Sequence, residues 1–169
     1  MVIRPPDVAT ELPAVARLLS EYATTPEVGL SAARVLGEVA VWPGPFAPPG
    51  GFWVAESGGE LVGCIGLRPH GRDAGELGRL YVRPPFRGRS LGRLLVERAL
   101  EAAADAGYGR VVLDTVPALA ASLRLYTALG FVPIEPWAGL ASGVICLGRE
   151  VVRARPGVEP DGRGTTAPT

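Results

Sequence analysis

The loop at residues 87–93, Arg-Gly-Arg-Ser-Leu-Gly-Arg, has the composition of a site that holds phosphate. Its two glycines allow the backbone to approach a ligand closely, and its three arginines supply positive charge. From Leu91 onward the apolar spacing is helical, so the loop would also present the free N–H groups of a helix start. Upstream, Leu77, Leu80 and Val82 form a short apolar run that prolines close. The sequence therefore predicts a strand that leads through a phosphate-binding loop into a helix.

Two spaced motifs resemble signatures of the GCN5-related N-acetyltransferase (GNAT) family. Arg87-x-x-Ser90-x-Gly92 is similar to the family's acetyl-CoA signature, Arg/Gln-x-x-Gly-x-Gly/Ala. Ser90 stands where the family usually has its first glycine, so a Cβ and a hydroxyl must fit beside the pyrophosphate. Residues 122–131 are similar to the family's A-x-x-L-Y-x-x-L-G-F helix and turn. The loop alone could be an ordinary Gly/Arg surface turn, but the two motifs in the family's order favour the family's fold and cofactor.

The resemblance implies a mixed α/β fold, in which a mostly antiparallel central sheet is splayed at one parallel pair and flanked by about four helices. The apolar patterning adds the positions of the elements. Helices are predicted at residues 10–23 with Thr10 as N-cap, 31–41, 89–106 and 118–129. Strands are predicted at 2–4, 52–55, 61–67, 76–82, 110–115, 131–133 and 142–147, with a polar turn at 70–75. The strands at 77–82 and 111–113 are expected to be parallel neighbours.

Length and composition limit the classes of protein. A chain of 169 residues suits one domain, predicted at 1–150, and residues 151–169 have the composition of a flexible tail that could order against a partner. Because 17 acidic residues balance 17 basic ones, we expect no general nucleic-acid binding. The apolar runs are too short for a membrane span and the start lacks a signal-peptide pattern, so we expect a cytoplasmic protein. Cys64 and Cys146 are expected to be reduced core thiols, and no metal site is expected.

The resemblance makes acetyl-CoA the cosubstrate. Its pantetheine arm carries two amides, which could pair like an added strand with the backbone near Leu80 and Val82. By analogy with the family, the strand carries a bulge there and splays from its neighbour, and the N–H of Leu80 polarises the acetyl carbonyl. The expected acetyl-CoA contacts are Leu80, Tyr81, Val82, Arg87, Gly88, Arg89, Ser90, Leu91, Gly92 and Arg93.

Acetyl transfer to an amine requires a neutral nucleophile. A lysine-like amine with a pKa near ~10.4 is neutral in only about one molecule in a thousand at pH 7, so a base is useful. Glu76 resembles the glutamate that serves as general base in the histone-acetylating branch of the family, acting directly or through water. Tyr126 matches the tyrosine that protonates the departing thiolate in many members. The alternative for Glu76 is a solvated or salt-bridged carboxylate at the strand end, and the alternative for Tyr126 is an aromatic core residue on an amphipathic helix.

Together these features predict direct acetyl transfer from acetyl-CoA to a primary amine of a small molecule or amino acid, in a ternary complex. The first two helices commonly border the acceptor site in the family, so residues 10–41 are expected to shape specificity. A protein or peptide acceptor and a homodimer are open alternatives. A non-catalytic acyl-CoA-binding module is another, because Ser90 replaces a glycine and Leu119 stands where the family often has asparagine.

Overall fold

The computed structural model of the protein describes residues 1–29 and 31–152. Within them, seven strands form one mixed sheet that four helices flank, so the predicted fold is confirmed. The strands are β1 (Val2–Arg4), β2 (Gly51–Ser57), β3 (Glu60–His70), β4 (Ala74–Val82), β5 (Arg110–Thr115), β6 (Val132–Pro133) and β7 (Ile145–Glu150). The helices are α1 (Val8–Ala23), α2 (Ala32–Ala40), α3 (Leu91–Asp105) and α4 (Ala120–Ala128). The order across the sheet is β1-β2-β3-β4-β5-β7-β6.

The start of α1 corrects a prediction. Asp7, and not Thr10, is the N-cap, because its side chain accepts a hydrogen bond from the N–H of Ala9 at 3.0 Å. Thr10 lies inside the first turn and donates its hydroxyl to Asp7 at 2.9 Å. The helix therefore starts at Val8, two residues earlier than predicted.

Three further boundaries differ from the prediction for local reasons. The β3–β4 ladder extends to the His70–Ala74 pair, which confines the predicted polar turn to residues 71–73. Helix α4 starts at Ala120, because residues 116–119 form a turn closed by a backbone hydrogen bond of 3.0 Å. Strand β7 starts at Ile145, since Gly143 has a φ of 82° and turns the chain before it.

The sheet separates two apolar cores. On one face, α3 and α4 cover β2 to β5, with Leu95 and Ala99 of α3 fully buried. On the other face, α1 and α2 cover β2 to β4, with Leu18 and Val35 fully buried. Full burial of one such side chain contributes about 1.5–3 kcal/mol relative to exposure, so both helix pairs are firmly held.

The sheet opens between β4 and β5, as expected. Their parallel pairing covers only Ala74–Leu77 of β4 and Arg110–Leu113 of β5. In the β3–β4 ladder, Cys64 pairs with Tyr81 and Gly66 pairs with Gly78, so Arg79 and Leu80 together face one residue of β3. This is a β-bulge, which bends a strand and increases its twist. The segment after Leu77 therefore leaves β5 and borders a cleft.

The structure also bears on the predicted end of the domain and on the two cysteines. The N–H of Val151 donates to the carbonyl of Gly109 at 3.0 Å, one residue past the predicted domain end. The predicted tail lies outside the described residues from 153 onward. Cys64 and Cys146 are buried free thiols, as predicted. Among the helices of residues 1–29 and 31–152, none has the length and apolar character needed to cross a membrane.

Candidate active site

A cavity of about 630 Å³ follows the edge of β4 where it leaves β5. Its walls are the end of β4, the loop to α3, the start of α4 and the end of α1. All the residues predicted to contact acetyl-CoA line it except Arg89, whose guanidinium lies 5.9 Å from the ring centre of Phe86. The lining includes Leu80, Tyr81, Val82, Arg87, Gly88, Ser90, Leu91, Gly92 and Arg93.

The phosphate loop has the backbone geometry of an anion site. Gly88 and Ser90 both have positive φ, 74° and 59°, and Ser90 is the N-cap residue of α3. The N–H groups of the first helical turn that follow Ser90 have no partner within the helix. Backbone that alternates through left-handed residues turns successive N–H groups toward one point, which suits a phosphate. The Ser90 side chain makes no helix-capping hydrogen bond, so its hydroxyl is available on the cavity wall.

Two of the loop arginines are held by their neighbours. The Nε of Arg87 donates to the carbonyl of Val82 at 2.8 Å, and its guanidinium lies 5.9 Å from the Tyr81 ring centre. Arg93 pairs with Glu97 one turn along α3 at 3.1 Å. The backbone, more than the arginine side chains, is therefore what the loop offers to a pyrophosphate.

Gly92 lies where α3 approaches α4. A Cβ on Gly92 would lie 3.3 Å from Cδ2 of Leu125, which is tighter than an ordinary contact. The glycine thus allows the two walls of the cavity to come close at the start of α3.

A smaller cavity of about 80 Å³ lies at the inner end of the first, where β4 and β5 part. Tyr22 and Leu80 line both cavities, so the two adjoin. Tyr126 reaches the inner cavity from α4 and is 7% exposed. Burial raises the pKa of its phenol well above the usual range, with smaller contributions from Tyr22 and Asp114. The phenol therefore stays protonated at neutral pH, the state that a proton donor requires.

Glu76 has the setting of the alternative that the sequence left open, a salt-bridged strand carboxylate. It lies in the paired part of β4, before the splay, and is 5% exposed. One carboxylate oxygen accepts a hydrogen bond from Arg68, and the other lies 3.1 Å from Nδ1 of His70. The His70 ring packs edge-on against Trp137, with centroids 4.7 Å apart. Glu76 lines neither of the two cavities described above.

Asp114 is a carboxylate that the sequence reasoning missed. It pairs with Cys146 in the β5–β7 ladder and lines the inner cavity together with Leu80 and Tyr126. Loss of solvent raises the pKa of Asp114, and the negative charge of Glu76 adds to the rise. An acidic residue after the apolar run Val111 to Leu113 is the signal that could have pointed to it.

Arg79 was also missed, and it joins the bulge to α2. Its side chain is almost fully buried, and Nε donates to Oε2 of Glu38 at 3.0 Å while Nη2 donates to Oε1. Its φ of 60° is unusual for a residue other than glycine. The carbonyl of Arg79 also accepts from the Cys64 thiol at 3.3 Å. A bidentate ion pair therefore holds the strained residue that precedes Leu80.

Comparison with known proteins identifies the family. A family model described as "Acetyltransferase (GNAT) family" matches residues 16–131, which with the cleft defines an acetyl-CoA-dependent acyltransferase. An uncharacterized N-acetyltransferase of Schizosaccharomyces pombe is 35% identical over 123 residues, covering 71% of this chain and 76% of that protein. The uncharacterized N-acetyltransferase YjgM of Escherichia coli is 34% identical over 143 residues, covering 79% and 84%. The chain belongs to the GNAT family.

A solved structure extends the likeness to the whole fold. The yncA protein of Salmonella typhimurium, solved with its cofactor acetyl-CoA, has a TM-score of 0.75 and 23% identity, covering 96% of this chain and 98% of that one. With the family assignment, acetyl-CoA is the cosubstrate of this protein.

Proposed function

We propose that the protein transfers the acetyl group of acetyl-CoA directly to a primary amine of a small molecule or amino acid, in a ternary complex. The observation that supports this most is the continuity of the two cavities. One end has a phosphate-binding helix start, and the other has a protonated phenol and a carboxylate at the opening of the sheet. These are the groups that acetyl transfer requires at its two ends.

Each part of acetyl-CoA has a proposed partner along this path. The pyrophosphate is bound by the N–H groups after Ser90 at the start of α3. The pantetheine amides pair with the β4 backbone from Leu80 to Val82, beyond its pairing with β5. The N–H of Leu80 donates to the acetyl carbonyl and stabilises the charge that develops on its oxygen.

The proposed chemistry is a single nucleophilic exchange. The neutral amine nitrogen attacks the thioester carbonyl carbon, a C–N bond forms, and the C–S bond breaks. Tyr126 gives its phenolic proton to the departing thiolate and recovers it from solvent. A carboxylate on the α1–α2 face of the sheet receives the proton of the amine. Glu76 is the carboxylate that the family resemblance nominates, and Asp114 is the second one on that face.

A thiol-release assay across a panel of amines, amino acids and basic peptides tests the proposal. We expect acetyl-CoA-dependent thiol release with at least one small amine. Acetyl-CoA binding without thiol release in the whole panel would make the protein a binding module. Release with peptides alone would move the acceptor to the protein class.

Tyr126→Phe tests the acid in the same assay. Turnover should fall by at least about 10-fold, while the Kd of acetyl-CoA should change little, because the phenol acts on the leaving thiolate. Tyr108→Phe is a matched control, since Tyr108 is also a buried tyrosine but lines neither cavity. Equal and small effects of both substitutions would assign Tyr126 to the core alone.

A further inference from the structure

We propose that Asp114, rather than Glu76, accepts the proton of the acceptor amine, and that Arg68, Glu76 and His70 form a positioning cluster beside it. This inference rests on the proposed acetyl transfer. It concerns the residue that takes the proton from the amine, for which the family resemblance points to Glu76 and the cavity lining points to Asp114.

The position of Asp114 relative to the splay carries the inference. Leu113 is the last residue of β5 that pairs with β4, so Asp114 is the first residue of β5 beside the opening. It lines the same small cavity as Leu80 and Tyr126, the proposed donors to the carbonyl oxygen and to the sulfur. An amine that reaches the thioester carbon between those donors therefore meets the Asp114 carboxylate at the cavity wall.

Glu76 lacks this access. Both of its carboxylate oxygens already have partners, Arg68 on one side and His70 on the other, and the residue is 5% exposed. Accepting a proton would weaken its ion pair with Arg68, whose side chain is 33% exposed while that of Glu76 is 7% exposed. Asp114, in contrast, stays open to solvent on the cavity side.

Glu76 nevertheless acts on Asp114 through its charge. Val112 pairs with Glu76, so Asp114 is two residues further along β5 on the same face, at a Cα distance on the order of 8 Å from strand spacing. Asp114 is open to the cavity, but the protein around its other sides desolvates the carboxylate and raises its pKa, and the negative charge of Glu76 adds to this rise. A base whose pKa lies closer to the working pH is a stronger proton acceptor.

Other charged or titratable groups lie around Asp114 on the strands and helices that border it. Arg68 and Arg79 oppose the rise of its pKa, while desolvation and Glu76 exceed them. The charge of Asp114 in turn raises the pKa values of three neighbours, Tyr22 of α1, Tyr126 of α4 and Cys146 of β7. Arg68 and His70 each contact one carboxylate oxygen of Glu76, which keeps that carboxylate in place beside the base.

The proton balance is simple. The ammonium of the acceptor gives one proton to the Asp114 carboxylate, and the neutral amine attacks the acetyl carbon. As the C–N bond forms, the nitrogen loses a second proton, the C–S bond breaks, and the departing thiolate takes the Tyr126 proton. The second proton from the nitrogen restores the Tyr126 phenol through solvent, and Asp114 releases its proton to solvent through the open cavity. No oxidant, reductant or further co-reactant is involved.

Asp114→Asn and Glu76→Gln, measured across pH in the thiol-release assay, test the inference. Asp114→Asn should lower kcat at pH 7 by about 10²-fold or more and leave acetyl-CoA affinity unchanged, with a deficit that shrinks as solvent deprotonates the amine at high pH. Asp114→Glu keeps a carboxylate and should recover part of the activity. Glu76→Gln should lower kcat at pH 7 by only a few-fold, because the Asp114 base remains but loses the neighbouring charge that strengthens it. It should also move the acidic limb of the kcat/KM profile to lower pH, because Asp114 loses a negative neighbour and its pKa falls.

The outcomes separate the two proposals. Full activity of Asp114→Asn, or a loss of about 10²-fold in Glu76→Gln without movement of the acidic limb, would overturn the inference and leave acetyl transfer intact. A wild-type protein that releases no thiol with any amine would overturn both. Stabilisation of each variant by acetyl-CoA in thermal unfolding shows that the fold and the cofactor end are preserved, so unfolding cannot imitate loss of the base.

Discussion

Ser90 is the residue at which the free protein carries local strain that one substitution can release. Its backbone is left-handed, with φ 59° and ψ 8°, at the position where the family signature has glycine. For an L-residue with a Cβ this conformation costs roughly 1–2 kcal/mol, whereas glycine adopts it without that cost. Ser90→Gly removes the strain but gives the unfolded chain more freedom, which offsets about 0.4–1 kcal/mol. We therefore expect a net stabilisation of about 0.5–1 kcal/mol.

Urea unfolding of the free protein, followed by tryptophan fluorescence, measures this difference. For a chain of this size, 1 kcal/mol corresponds to about 2–4 °C in Tm. Ser90→Ala removes the hydroxyl and keeps the Cβ, so it should retain the strain. Gly88→Ala is the reverse control in the same loop, because Gly88 has a φ of 74° and a Cβ there would meet no atom within 4 Å. It should destabilise by about 1 kcal/mol through the backbone alone.

Acetyl-CoA binding by the same variants decides whether the Ser90 hydroxyl contributes. A hydrogen bond to a charged phosphate is worth about 1.5–3 kcal/mol, so its loss should weaken binding by at least about 10-fold in both Ser90→Ala and Ser90→Gly. A Ser90→Gly protein that is less stable than the wild type, together with a neutral Gly88→Ala, would refute the left-handed conformation of the loop.

Three further outcomes follow from packing and charge. Gly92→Val places a side chain against Leu125 and should abolish the stabilisation that acetyl-CoA gives the folded protein. In the wild type this stabilisation is about 2.7 kcal/mol at 100 times the Kd, and a full thermal shift in the variant would contradict the prediction. Glu38→Gln should lower the free energy of unfolding by about 3 kcal/mol, because Arg79 keeps a nearly buried charge without its partner; a loss below about 1 kcal/mol in urea would refute it. Tyr108→Phe should be neutral or stabilising by up to about 1 kcal/mol in the same measurement, since the Tyr108 hydroxyl is buried without a hydrogen-bond partner among the described residues. A clear loss of stability in this variant would show that water satisfies the hydroxyl.

The cofactor end of the site could be predicted because its information is local. The strand, the loop and the helix start follow one another from Leu80 to Arg93, and glycine, proline and apolar spacing determine such backbone directly. The family resemblance implied the bulge, and the strand–helix–strand order predicted the parallel pair. The register of β3, β4 and β5 confirms both.

The residues that contact Glu76 could not be predicted from the same local rules. The predicted strand ended at residue 67, so Arg68 and His70 were assigned to a strand end and a turn. In the structure the ladder includes both residues and ends at the His70–Ala74 pair, and Arg68 pairs across the strands with Glu76. A hairpin register fixes which side chains meet, and an error of a few residues in the turn changes every such pair.

Long-range pairs were equally hidden. Glu38 and Arg79 are 41 residues apart, and each is a charged residue of the kind usually found on exposed helix and strand positions. Only the packing of α2 against the bulge brings them together. Asp114 is remote in sequence from Glu76, and only the parallel pairing of β4 with β5 places the two carboxylates on one face. Tertiary packing, which no local spacing encodes, decides these contacts.

The two ends of the cleft therefore differ in what a substitution can change. In the proposed complex, acetyl-CoA contacts backbone atoms of one continuous segment, so most side-chain exchanges there should leave its binding groups in place unless they add bulk, as at Gly92. The proposed acceptor end consists of side chains from separate elements, such as Tyr22 on α1 and Asp114 on β5, each attached to a backbone that the two cores fix. An exchange at one of these positions alters the charge or shape that the amine meets without moving the thioester. Acceptor preference can thus change through single residues while the acetyl-CoA site and the fold stay the same.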